Sequence, residues 1–213
     1  FPPTCLSGPP GCAKTTLSVD FCRRIAIPKI VYSAGGVSDG AIGGTSRMYS
    51  SGRGCVPLQI VAQASVANPV IIVDEGEKIA TGRHNGNAGD VMLTMTEPTS
   101  SRAFFDPYLE CPVDLSAVSW LMTVNDPDLL SPPLRDRFRI IDVPAPGPEH
   151  VPVIVRGIVD DIRASRGSLG AFVEDLAPDE VDLLAEGWKP GSMRSLRRSV
   201  EILLSGRDRL ATR

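Results

Sequence analysis

The stretch Thr4-Cys-Leu-Ser-Gly-Pro-Pro-Gly-Cys-Ala-Lys-Thr-Thr16 limits the possible folds more than any other part of the chain. A short apolar strand enters a Gly/Pro-rich turn, and the turn opens directly into a helical pattern at Lys14. That order is the phosphate-binding loop G-x-x-x-x-G-K-[ST], spelled by Gly8 to Thr15 with one departure. Gly8 and Gly11 let the backbone fold back so that successive N–H groups converge into an anion nest. The helix that follows adds the partial positive charge of its N-terminus. Gly8, Pro9, Pro10, Gly11, Cys12, Ala13, Lys14, Thr15 and Thr16 are therefore the candidate nucleotide-binding residues. Lys14 would reach the terminal phosphates, and the Thr15 hydroxyl would complete a Mg²⁺ shell. The departure is Ala13, where the pattern has glycine. A Cβ there takes room and backbone freedom, so nucleotide affinity or turnover is expected to fall. The alternative is an ordinary Gly-rich strand-to-helix turn, and the rest of the chain decides between the two.

Apolar runs supply the other strands. Lys29 to Ser33, Val70 to Val73, Val118 to Val124 and Arg139 to Val143 read as strands. Val70-Ile-Ile-Val73 has no alternation, which marks a strand buried on both faces in a parallel sheet. Helical stretches lie between them: Thr15 to Ile25 with apolar Leu17, Val19, Phe21 and Ile25, then Leu58 to Ala64, Val91 to Thr96, and Asp128 to Arg137. Residues 35–54, dense in Gly and Ser, predict a short helix and a mobile loop. Strands alternating with helices give an α/β domain over residues 1–143. Pro144 to His150 reads as a linker. Beyond it the periodicity is only helical, with Ile154, Ile158 and Ile162 on one face, a helix start at Pro178-Asp179-Glu180, and a stripe of Met193, Leu196, Val200 and Leu203 capped by Ser192. Residues 151–213 are thus expected to form a small α-helical domain.

The composition excludes several classes. At 42% hydrophobic and 22% charged residues the chain is globular rather than disordered or fibrous. A net charge of −3 and a pI near 5.4 oppose a surface built for nucleic-acid phosphates. Five cysteines without C-x-x-C spacing propose neither a disulfide framework nor a zinc knuckle, so a reducing, cytoplasmic setting is expected. Neither a membrane span nor a signal peptide is evident. Opening at Phe1, the chain is expected to be a fragment with flanking domains elsewhere.

The second chemical element is Asp74-Glu75, two carboxylates at the end of the apolar strand. Such a pair belongs at the exposed carboxyl edge of a parallel sheet, where ligands bind. Asp74 would hold Mg²⁺ through water, and Glu75 would act as general base on the attacking water. Asn125 ends the next buried strand and could orient that water or touch the γ-phosphate.

With these residues in place, the chain resembles an AAA+ ATPase, a P-loop NTPase with a parallel sheet and a helical lid. Gly8–Thr15, Val70–Glu75, Thr123-Val124-Asn125 and Leu134-Arg-Asp-Arg137 are similar, in order, to its Walker A, Walker B, sensor 1 and arginine-finger elements. Within the superfamily the likeness is to the ATPase module of Lon proteases. Ala34-Gly-Gly-Val-Ser-Asp39 looks like the G-G-V-x-D segment of that family. Phe105-Asp-Pro-Tyr-Leu-Glu110 with Val113-Asp-Leu-Ser116 looks like its F-x-D-x-Y-L and D-L-S stretch.

The resemblance implies ATP hydrolysis with Mg²⁺, performed by Lys14, Thr15, Asp74 and Glu75, with Asn125, Arg137 and Arg194 sensing the γ-phosphate. Arg137 matches the arginine that reaches a neighbouring subunit's nucleotide, with Arg135 as second candidate. A homo-oligomer, a hexameric ring, is therefore implied. Arg194, in Gly191-Ser-Met-Arg194, matches sensor 2. Tyr49, preceded by Met48, matches the aromatic pore-loop residue that grips a polypeptide. Motion of the lid about Pro144–His150 would move Tyr49. Nothing in the sequence resembles the family's Ser-Lys peptidase domain. Gly76-Glu77 departs from the family's apolar residue and aspartate, and Gly76 is expected to loosen that turn. Three alternatives stay open: a nucleotide-gated scaffold with weak or no hydrolysis, a nucleic-acid motor of the same fold, and a GTP-binding switch.

Overall fold

The computed structural model of the protein describes residues 1–34, 40–81, 88–189 and 192–211. Its regular elements, in chain order, are β1 (Thr4–Ser7), α1 (Lys14–Arg24), β2 (Lys29–Ser33), α2 (Val56–Ala64), β3 (Val70–Asp74), α3 (Ala88–Thr96), β4 (Phe104–Asp106), β5 (Cys111–Val113), β6 (Ser119–Val124), α4 (Pro132–Arg137), β7 (Arg139–Asp142), α5 (Val151–Ser165), α6 (Pro178–Gly187) and α7 (Met193–Ala211). Backbone contacts divide the chain into two units, Phe1–Gly8 with Lys14–Val143, and Pro9–Ala13 with Pro144–Arg213.

In the first unit five strands form one sheet in the order β2-β3-β6-β1-β7, every pair parallel. The expected α/β architecture is present. The unbroken apolar run of β3 is fully buried because its side chains alternate between two covered faces. Ile71 and Val73 join the larger core with Trp120, Met122 and Val124 of β6, Val56 and Ile60 of α2, Met92 and Met95 of α3, and Leu134 of α4. Val70 and Ile72 face the other way, against Leu121 and Cys22 of α1. Each such buried aliphatic side chain contributes roughly 1.5–3 kcal/mol.

Helix α1 buries a different face from the one its large apolar residues mark. Lys14, Ser18 and Cys22 are its buried residues, with Val19 partly buried beside them, whereas Leu17, Phe21 and, just past the helix end, Ile25 are each more than 40% exposed. Small side chains let the helix lie close on the strands, and Ser18 settles its hydroxyl on the Lys14 carbonyl at 3.0 Å. The single helix expected over Asp128–Arg137 is also divided. A 3₁₀ turn covers Pro127–Leu129, and Leu130 and Ser131 are extended before α4 begins at Pro132. Pro132 and Pro133 explain the break, since a residue preceding proline is driven out of the helical region.

Residues 104–113, which carried only a family likeness in the sequence, form the antiparallel hairpin β4–β5. Asp106 is fully buried there and accepts from the N–H groups of Cys55 (2.7 Å), Tyr108 (2.9 Å) and Leu109 (2.8 Å). It ties the hairpin to the start of α2.

In the second unit, Val151, Val155, Ile158, Val159 and Ile162 of α5 pack with Leu184 of α6, Trp188, and Leu196, Val200 and Leu204 of α7. Ser192 caps α7 as expected, its hydroxyl accepting from the Ser195 N–H at 3.2 Å. The Ala177 N–H donates to Glu180 at 2.8 Å and fastens the start of α6. Within this unit the Met193 N–H, first in α7, donates to the Gly11 carbonyl at 3.0 Å. Among the described residues no helix is long and apolar enough to cross a membrane.

Candidate functional site

Strand register brings the chemical residues of the first unit together. Ser7 pairs with Val124 across β1 and β6, and Val73 pairs with Met122 across β3 and β6. The carboxyl ends of β1, β3 and β6 therefore lie side by side, the edge of a parallel sheet where ligands bind. Lys14 follows β1, Asp74 ends β3, and Asn125 follows β6.

Asp74 Oδ1 accepts from the Thr15 hydroxyl and from the Thr123 hydroxyl, both at 2.6 Å. Thr123 in turn accepts the Glu75 N–H at 3.3 Å. Lys14 is only 8% exposed, so its ammonium needs internal partners. Its Nζ donates to the Gly8 carbonyl at 2.7 Å and to Asn125 Oδ1 at 3.1 Å. On its other side Asn125 donates to Glu77 Oε1, through Nδ2 at 2.7 Å and through its backbone N–H at 3.3 Å. Glu75 forms an ion pair with Lys78 at 2.6 Å, and that hydrogen bond raises the Lys78 pKa. The pair is exposed and screened by solvent, so it can be exchanged for another partner.

Two site residues hold left-handed backbone without being glycine: Ala13 at φ +68° and Glu75 at φ +58°. Each such residue stores on the order of 1–3 kcal/mol. Within the loop Gly11 takes the same region, at φ +85°. Gly76 does not loosen its turn. Residues Gly76–Thr81 form a 3₁₀ helix, and the Lys78 N–H closes on the Glu75 carbonyl at 2.9 Å. A Cβ on Gly76 would fall 2.5 Å from Met122 Sδ and 2.6 Å from its Cγ. A larger residue there would require the fully buried Met122 side chain to move.

Cys5, on β1, is fully buried. Burial pushes its thiol up to about 12, with the Glu77 charge adding to the effect and the Lys14 charge opposing it. The thiol is neutral at physiological pH. Cys12 in the turn is buried as well.

The remaining expected residues have surroundings of their own. The Arg137 guanidinium is bonded to the Glu97 carboxylate, both partly exposed, and Arg135 is bonded to Asp128. Arg194 is exposed on α7 in the second unit. Met48 and Tyr49 are 88% and 69% exposed at a tip. Backbone and side-chain bonds brace their segment. Thr45 and Arg53 bond each other's backbone at 2.8 and 3.2 Å, and Arg47 pairs with Glu110 at 2.7 Å. Residues 35–39 of the G-G-V-x-D segment, the polar loop 82–87, and Gly191 lie outside the described residues.

Sequence reasoning assigned no role to Thr123 or to the Glu77 carboxylate. Their contacts depend on cross-strand register and on the 3₁₀ turn, neither of which leaves a local sequence signal.

Among the described residues no group of three or more His, Cys, Asp and Glu side chains could hold a metal ion. A hydroxyl and one carboxylate at the same point, Thr15 and Asp74, still suit Mg²⁺. That ion takes few protein oxygens and completes its shell with phosphate and water.

The sequence pattern of the ATPase family associated with various cellular activities (AAA) matches residues 4–145. The chain is similar to the mitochondrial Lon protease homologue of Homo sapiens, 32% identical over 203 residues, covering 94% of this chain and 21% of the relative. It is 30% identical over 200 residues to the mitochondrial Lon protease homologue of Eremothecium gossypii, covering 92% of this chain and 19% of the relative. Lon protease 4 of Sorangium cellulosum is 38% identical over 156 residues, covering 71% and 19%. The chain spans about a fifth of the length of these relatives.

Proposed function

Because the chain belongs to the ATPase family associated with various cellular activities, we propose that it is the ATP-hydrolysing module of an oligomeric protein-remodelling machine related to Lon proteases. The observation that carries this reading is the pair of hydrogen bonds, Thr15 to Asp74 and Lys14 to Asn125, at one sheet edge.

In the proposed reaction ATP and water give ADP and phosphate. The turn Gly8–Thr16 takes the phosphates. Lys14 exchanges the Gly8 carbonyl and Asn125 for terminal phosphate oxygens. Thr15 and Asp74 would hold Mg²⁺, which when bound neutralises phosphate charge. Glu75 turns from Lys78 to the attacking water and takes its proton, and Asn125 helps place that water. Arg137 leaves Glu97 to stabilise charge on a neighbouring subunit's phosphoryl group, a contribution of about 10³–10⁵ in rate where such fingers operate. Arg194 senses the γ-phosphate.

The machine acts as a ring, proposed to be hexameric, and its load is polypeptide. The relatives' designation as proteases supports a protein substrate. The exposed Met48 and Tyr49 support a gripping tip, since an aromatic face offers contact area independent of the side chain it meets. Peptide-bond cleavage is assigned to no residue of this chain.

Size-exclusion chromatography with and without ATP, followed by casein-stimulated phosphate release, tests this function. ATP-dependent assembly and a casein stimulation that Tyr49→Ala removes are expected. A chain that fails to assemble with any nucleotide, or a stimulation indifferent to Tyr49, contradicts the ring and the gripping tip.

A further inference from the structure

The geometry points to Glu77 as a positioning residue that makes Asn125 present a hydrogen-bond acceptor to the reaction, an inference that rests on the ATPase reading above. An asparagine amide can be turned either way, and which edge is the oxygen follows from its neighbours. Here the neighbours leave no choice. A carboxylate only accepts and an ammonium only donates. Glu77 Oε1 lies 2.7 Å from Asn125 Nδ2, and Lys14 Nζ lies 3.1 Å from Asn125 Oδ1. Turning the amide over would set oxygen against carboxylate and NH₂ against ammonium. The same Glu77 oxygen also accepts the Asn125 backbone N–H at 3.3 Å, so side chain and main chain are held from one point.

The consequence is chemical. With Nδ2 engaged by Glu77, the Asn125 edge that meets Lys14 is Oδ1. When Lys14 turns to phosphate, that oxygen is released still pointing the same way. An acceptor suits the O–H of an attacking water and does not suit a γ-phosphate oxygen, which has no proton to give. Of the two roles open to Asn125, orienting the water is therefore the one Glu77 selects. The second Glu77 oxygen is buried with no hydrogen-bond partner among the described residues, so Oε1 alone carries the contacts to Asn125.

A double-mutant cycle in the full chain tests the inference: Glu77→Met, which keeps the length and removes the acceptor, Asn125→Ala and the double variant, with kcat, KM for ATP and Tm measured for each. Glu77→Met is expected to lower kcat by about tenfold or more with KM little changed, because the lost contact acts on the water rather than on bound nucleotide. In the Asn125→Ala background it is expected to lower kcat no further. Glu77→Asp, which keeps the charge on a shorter arm, should fall between wild type and Glu77→Met. Independent multiplied effects, or a Glu77→Met enzyme as fast as wild type, would overturn the role. A second readout needs no turnover. The Asn125 side-chain amide protons should resonate downfield in the nucleotide-free protein and lose that shift in Glu77→Met, and an unchanged pair contradicts the geometry. A wild type without Glu75-dependent turnover would instead overturn the ATPase reading, so the two failures are distinguishable.

Discussion

The hydroxyl of Thr15 and the carboxylate of Asp74, 59 residues apart in the chain, meet at 2.6 Å across the edge of the sheet. Thr123 reaches the same carboxylate oxygen from the neighbouring strand and accepts the Glu75 N–H. Thr123→Val keeps the shape and removes both bonds. With Thr123 only 2% exposed, the abandoned partners are expected to cost about 1–3 kcal/mol in a urea melt. Phosphate release should slow as well, since Asp74 and Glu75 lose a shared support.

Ala13 holds φ +68°, a conformation that an L-residue adopts at about 1–2 kcal/mol. Glycine relieves that strain but adds freedom to the unfolded chain. Ala13→Gly is expected to stabilise by about 0.5–1 kcal/mol net, read as a rise in denaturation midpoint at unchanged m-value, and Ala13→Val to destabilise.

The legible parts of the fold were those that depend on composition along a few residues. The apolar runs of β3 and β6 and the Gly/Pro turn before Lys14 each announce their structure locally. Helix α1 shows the limit. Leu17, Phe21 and Ile25 advertise a buried face, yet the sheet takes Ser18 and Cys22 because close packing favours small side chains there. Asp74 and Glu75 were legible as acids at a strand end. Thr123 as their support was not, because pairing Val73 with Met122 is a property of the folded sheet. Gly76 read as a weakness, yet it sits in a closed 3₁₀ turn packed against the Met122 side chain.

Arg137 is bonded to Glu97 at a partly exposed site, so the folded chain itself should lose less than about 1 kcal/mol in Arg137→Ala. Turnover should fall about 10³-fold or more if the guanidinium serves a neighbour. Mixing Arg137→Ala with Glu75→Gln subunits gives a sharper readout. Contacts that join an intact Glu75 to an intact Arg137 should restore phosphate release above either variant alone, and the absence of any restoration would place Arg137 outside the reaction.

Burial pushes the Cys5 and Cys55 thiols up to about 12, above the ordinary value of 9.0 that the unfolded chain shows. A raised folded-state pKa means the associated stability is complete below pH 9 and is lost as pH rises toward 12. Unfolding free energy should therefore decline above pH 9, by up to about 1.4 kcal/mol per pH unit per thiol. At pH 8 Cys111, the exposed cysteine, should react first with a thiol reagent, and Cys5 and Cys55 only on unfolding.

In the proposed reaction Glu75 takes the proton of the attacking water, and phosphate release by wild type beside Glu75→Gln measures that role most directly. A loss of about 10²–10⁴ in turnover with ATP binding retained is the predicted result. Equal rates for the two proteins would contradict the assignment of hydrolysis to this sheet edge.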